Sequence, residues 1–181
     1  MANSSKQILP KQWYMMTLVG RDQPGIVAKA STALFKVGCN FGEASMMRLG
    51  GNFSIMLMVQ YTGSAEELKE HIEPVAEALS LRLHIDPIEG QLHEHRIPDV
   101  RVSVYGADRA GIVAQVTTVL YNAGLDIFDL ESDVAGTDEK PVYIMHIEGH
   151  AAKGVEGLQK ALQSIDPDIK VNLQSIDTMV G

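Results

Sequence analysis

The sequence predicts an α+β fold built from two tandem βαββαβ modules, each an antiparallel four-stranded sheet with two helices on one face. Three observations carry that expectation. The chain repeats itself at an offset of 86 residues. Each copy alternates short apolar runs with helix-period segments in the same order. Glycine-bearing turns separate those segments. The repeat is clearest where Gly20-Arg-Asp-Gln-Pro-Gly-Ile-Val-Ala28 lies over Gly106-Ala-Asp-Arg-Ala-Gly-Ile-Val-Ala114. Nine of the nineteen positions from Gly20 to Gly38 are identical in the second copy, where average residue frequencies would give about one. After a two-residue insertion the register is expected to resume with Ile55-Met56 over Tyr143-Ile144.

In the first copy, Trp13 to Val19 is an apolar run ending at Gly20, read as a strand buried on both faces. Pro24-Gly25 opens a helix whose apolar residues Ile26, Ala30, Leu34 and Val37 recur at helical spacing, with Gly38 where a C-terminal cap belongs. Residues 39–49 and 52–61 are extended in character, joined by Gly50-Gly51 as a hairpin turn. Ser64-Ala-Glu-Glu67 has the form of a capping box, and Leu68, Ile72, Val75, Ala76 and Leu79 mark one face of a second helix. Leu81 to Ile85 is the closing strand.

The second copy repeats the order: strand 100–106, helix 110–123, strands 125–135 and 141–149, helix 152–164 and strand 169–179, with Val155, Leu158, Leu162 and Ile165 on the last helix's apolar face. Right-handed crossovers give the strand order 4-1-3-2 of the ferredoxin-like arrangement, with the second strand at an edge. The domain plan is a tail over residues 1–12, modules over 13–89 and 99–179, and a polar linker over 90–98.

Of 181 residues, 45% are hydrophobic and 21% charged, the proportions of an ordinary globular chain. Fifteen Lys and Arg face 23 Asp and Glu, a formal charge of -8 with no basic run, which disfavours direct nucleic-acid binding. The single cysteine, Cys39, excludes an intrachain disulfide and a thiolate metal cage, and fits a reducing cytoplasm. The opening segment lacks the apolar core of a signal peptide, and runs such as Ile55 to Val59 are too short to span a bilayer. A cytoplasmic protein without membrane partner or cofactor is therefore expected.

The fold hosts many activities, so function must come from the residues. An RNA-recognition module needs an aromatic-rich basic strand pair, which is missing. A metal carrier of this fold needs paired thiolates. A nucleophilic enzyme needs an activated Ser or Cys beside a base, and no such local motif occurs. A small-molecule sensor remains. Gly20-x-Asp22-x-Pro24-Gly25-Ile26-Val27, followed after one helix by Gly38-Cys39-Asn40, resembles the ACT domain, a regulatory amino-acid-binding module, and the match recurs in the second half. The tandem architecture is similar to that of the glycine cleavage system transcriptional repressor group.

The resemblance implies a ligand at the turn Asp22, Gln23, Pro24, Gly25 and Ile26, bridged to Asn40, with Asp108, Arg109, Gly111, Ile112 and Asp126 at the matching places. Glycine and serine are the first ligands to expect, acting through a partner regulatory protein. The chemistry agrees: a glycine lets the backbone approach a ligand, and the amides of a helix's first turn point outward at the positive end of its dipole. In the second copy Ala110 replaces the proline and Asp126 replaces the asparagine, so two carboxylates would repel a ligand carboxylate.

Each of these residues also has an ordinary reading. Asp22 and Asp108 stand where helix-capping carboxylates stand, Gly25 and Gly111 where close packing would demand glycine, and Asn40 where a turn enters a strand. His93, His95, His146 and His150 fit a solvated linker and a strand end better than a metal site. The nine methionines read as core filler. Asp129, Glu131 and Asp133 share one face of a strand whose other face carries Leu130 and Val134, and read as a solvated strip rather than a calcium site. The corresponding strip, Phe41, Glu43, Ser45 and Met47, is far less charged, with Arg48 on the opposite face. Edge strands or helix faces of neighbouring modules are expected to associate, within the chain or in a homodimer, with ligand sites at the junction. The competing function is ligand-independent scaffolding.

Overall fold

The computed structural model describes residues 11–89, 97–107, 110–137 and 140–176. The chain divides into two compact units between residues 93 and 94. The first holds β1 (Lys11–Arg21), α1 (Ile26–Lys36), β2 (Asn40–Leu49), β3 (Asn52–Thr62), α2 (Ala65–Ala78) and β4 (Leu81–Pro87). The second holds β5 (Val100–Ala107), α3 (Ile112–Asn122), β6 (Leu125–Thr137), β7 (Lys140–Ala151), α4 (Val155–Leu162) and β8 (Lys170–Ser175). The sheets order as β2-β3-β1-β4 and β6-β7-β5-β8, all antiparallel, as the sequence predicts.

In the first unit the apolar stripes of both helices meet one face of the sheet. Ile26, Ala30 and Leu34 of α1 and Leu68, Ile72 and Ala76 of α2 are buried with Tyr14, Met16 and Leu18 of β1 and Phe53, Ile55, Leu57 and Val59 of β3. β1 is therefore not buried on both faces. Its side chains alternate, and Val19 on the open face is 39% exposed, because both helices of this unit, among its described residues, lie on the other face. At the end of α1, Gly38 N–H donates to Phe35 and Cys39 N–H to the Leu34 carbonyl, the paired bonds of a glycine-terminated helix. At the start of α2 the capping box closes in both directions: Glu67 N–H donates to Ser64 Oγ, and Ser64 N–H to Glu67 Oε2.

The second unit is built the same way. Val116 and Leu120 of α3 and Leu158 of α4 lie over Val102 and Val104 of β5 and Met145 and Ile147 of β7. α4 is shorter than the periodicity suggests because Gly154 takes φ 83° and ψ 160°, which a helix cannot include.

Two corrections concern the sheet edges. Gly20 pairs with Phe53 and Gly106 with Tyr143, so Phe53 corresponds to Tyr143 and Ile55 to Met145. The insertion is four residues long, divided between the two strands beside the β6–β7 hairpin. Second, β2 carries a bulge between Phe41 and Ala44. The extra residue reverses the alternation, so Phe41 lies with Ala44, Met46 and Arg48 on the helix side, opposite Val59, Leu57, Ile55 and Phe53, and not with Ser45 and Met47. Gly42 suits the bulge because a Cβ there would lie 2.9 Å from the Trp13 ring. β6 bulges at the matching place, between Ile127 and Asp129.

Candidate functional site

The turn that follows β1 is held from three sides. Asp22 N–H donates to the Gly51 carbonyl at 3.0 Å, tying the turn to the β2–β3 hairpin. Gln23 Nε2 donates to the Leu79 carbonyl at 2.6 Å, tying it to the end of α2. Asp22 Oδ2 lies 2.7 Å from the guanidinium of Arg48 on β2. Pro24 precedes the cap instead of occupying the first helical position.

Gly25 is the residue before α1 and adopts φ 88° and ψ 2°, and no side chain caps the helix. Asp22 is therefore an ion-pair partner and not a cap. Close packing does not explain Gly25 either, because a Cβ there would meet only Lys29 Cε at 3.9 Å. The left-handed backbone is what demands glycine. It leaves open space above the first turn of α1, whose amides have no acceptors within the helix. Gly111 repeats this at φ 92°, with nothing within 4 Å of its Cβ position.

The expected sites do not assemble within one module. Asn40 pairs with Gln60, which pairs with Trp13, whereas Asp22 follows Arg21 at the other end of β1. Eight residues of strand separate the two positions, roughly 26 Å at ~3.3 Å per residue. Asn40 Nδ2 instead donates to Gln60 Oε1 at 3.2 Å. Asp126 is likewise at the far end of its sheet from Gly111, opposite His150, whose Nδ1 lies 2.7 Å from Asp99. Asp108 and Arg109 lie outside the described residues, as do His93 and His95 of the linker. The sequence reading missed Arg48 as a site residue: its pairing with Phe53, set by the hairpin register, puts it on the helix side, where it reaches Asp22.

Beside the turn, between α1 and β2, lies an apolar cleft of about 320 Å³. The edge strand bounding it is exposed along its whole length. On the open face of the second sheet, Ser103 Oγ lies 3.0 Å from His146 Nδ1, and Arg101 Nε donates to Glu148 at 2.7 Å. Asp129 and Glu131 lie on this face, and Leu130 and Val134 on the other. Among the described residues no three His, Cys, Asp or Glu side chains converge to hold a metal ion. No helix there is long and apolar enough to cross a membrane.

This geometry meets known proteins as follows. The family model of the ACT domain matches residues 13–86. A UPF0237 protein of Listeria innocua is 31% identical over 74 residues, 39% of this chain and 83% of the relative. A UPF0237 protein of Streptococcus mutans is 30% identical over 73 residues, with the same shares. Among solved structures, an unknown protein from Galdieria sulphuraria superposes with TM-score 0.73 at 21% identity, covering 92% of this chain and 99% of that one. One solved under the name "putative glycine cleavage system transcriptional repressor" gives 0.65 at 18% identity, covering 92% and 98%. These two share the fold. The chain belongs to the ACT-domain family, a regulatory, ligand-sensing class. It carries two such domains in tandem.

Proposed function

We propose that the protein is a non-catalytic regulatory sensor of a free α-amino acid, read by a partner protein. The observation that carries this is the turn itself: a left-handed Gly25 opens α1 into free space, beside the paired charges of Asp22 and Arg48. A zwitterion has complementary groups, an ammonium for Asp22 and a carboxylate for Arg48 and the first-turn amides. Glycine and serine, the ligands expected by resemblance, share these groups with every α-amino acid. The acidic net charge of -8 favours action on transcription or metabolism through a protein partner rather than through nucleic acid.

Asn40 can still take part if two β2 edges meet antiparallel. Asn40 of one copy then falls beside Leu49 of the other, next to the hairpin that anchors Asp22. This favours a homodimer with ligand at the junction, and ligand binding would act by shifting how edges pack. Exposed apolar groups on β2, Phe41, Met46, Met47 and Leu49, also suit ligand-independent association. Thermal unfolding of the purified chain with each amino acid at millimolar concentration separates the two readings. A ligand at a hundred times its Kd adds about 2.7 kcal/mol, several degrees in Tm. No shift with any amino acid would leave the scaffold reading in its place.

A further inference from the structure

The cleft beside the turn is apolar, and the Asp22–Arg48 pair lies outside its lining, beyond Met46. Val27 and Ala30 of α1 form one wall, Phe41, Ala44 and Met46 of β2 the other, and Ile55 of β3 the floor. Val27, Phe41 and Met46 are each about half exposed, so the walls hold apolar surface that is still in water. Arg48 stands one inward-facing step beyond Met46, about 7 Å along the strand, where it pairs with Asp22. The volume, about 320 Å³, is at the lower limit of small-molecule sites.

The second module shows what opens the cleft. Its strands carry the same bulge and register, so Ala44 opposite Leu57 corresponds to Leu130 opposite Ile147. Ala30 corresponds to Val116 and Arg48 to Val134 in the same register. Leu130 and Val116 are larger than the alanines they replace, Ile127 and Ser132 are smaller than Phe41 and Met46, and the guanidinium is gone.

We infer that the first module, and not the second, selects an α-amino acid with an aliphatic side chain of leucine, isoleucine or methionine size, seated in the α1–β2 cleft. This deepens the amino-acid reading above and rests on it. Glycine and serine would leave the cleft's apolar walls in water, and filling such a pocket discriminates by about tenfold or more for each methylene-scale change.

The test is titration calorimetry of the full chain with L-leucine, L-isoleucine, L-methionine, glycine and L-serine, repeated with Ala44→Leu and Met46→Ser. Both positions are exposed, and the unliganded unfolding midpoint of each variant checks that the fold is kept. The expected result is aliphatic binding at least tenfold tighter than glycine or serine, lost in Ala44→Leu and weakened in Met46→Ser. Preference for glycine or serine would overturn the specificity while leaving amino-acid sensing intact. Aliphatic binding unaffected by Ala44→Leu would overturn the cleft as the seat. Binding of none of the five would remove the specificity, and the full amino-acid panel would then decide the broader reading.

Discussion

Arg48 and Asp22 meet at 2.7 Å across the gap between the edge strand and the turn, with the arginine side chain 62% exposed and the aspartate 25%. The pair links the last inward-facing position of β2 to the segment that opens α1. Exposed pairs of this kind contribute about 0–1 kcal/mol to stability. Arg48→Gln is therefore expected to leave the unfolding midpoint within a degree or two, yet to weaken amino-acid binding by about tenfold or more through loss of a charge-assisted contact. Calorimetric titration beside a melting curve checks both halves, and a variant that binds as tightly as the parent would remove Arg48 from the site.

The two helix-opening glycines should respond alike. Space is open at both Cβ positions, so Gly25→Ala and Gly111→Ala meet only the cost of a left-handed backbone, about 1–2 kcal/mol. Asparagine tolerates that backbone better, so Gly25→Asn should recover part of the loss. Urea unfolding of the three variants measures this. A much larger loss at position 25 than at 111 would contradict the open geometry.

Gly149 and Gly157 should behave oppositely. A Cβ at Gly149 would fall 2.1 Å from the Asp126 carbonyl, beside the β6 bulge, so Gly149→Ala must push the two strands apart. Gly157 lies inside α4 with nothing near its Cβ position, and Gly157→Ala should stabilise by up to about 1 kcal/mol. Denaturant midpoints moving in opposite directions are the expected outcome.

Much of the fold is legible because its signals are local. The Ser64 capping box, the Gly50-Gly51 hairpin and the periodic stripes of α1 to α3 lie within a few residues of the structures they specify. What escapes the sequence is nonlocal. The bulge at Gly42 is explained by Trp13, twenty-nine residues earlier in the chain, and it alone decides that Phe41 faces α1. The four-residue hairpin extension is hidden because it divides evenly between two strands, which preserves alternation on both. The resemblance groups Asn40 with the turn, whereas antiparallel pairing carries it to the opposite end of the sheet.

Alkaline pH should weaken the fold through Cys39. Burial pushes its thiol up from 9.0 to about 11. Above pH 9 the unfolded chain loses this proton while the folded chain keeps it, so stability is full below about pH 9 and declines as pH rises toward 11. The hydroxyls of Tyr14 and Tyr61 are raised as well, by burial first, and act in the same direction. Denaturant midpoints measured across this range should fall, and less steeply in Cys39→Ala. Identical slopes would mean that the thiol ionises as freely in the folded chain as in the unfolded one.

The bulge falls three residues after the helix-ending glycine in both modules, at Phe41 after Gly38 and at Ile127 after Gly124. The bulge therefore belongs to the plan that both modules share. The alanines lining the cleft and the length of the hairpin differ between the copies. Ligand binding by the first module alone would make the two halves a division of labour on one shared scaffold.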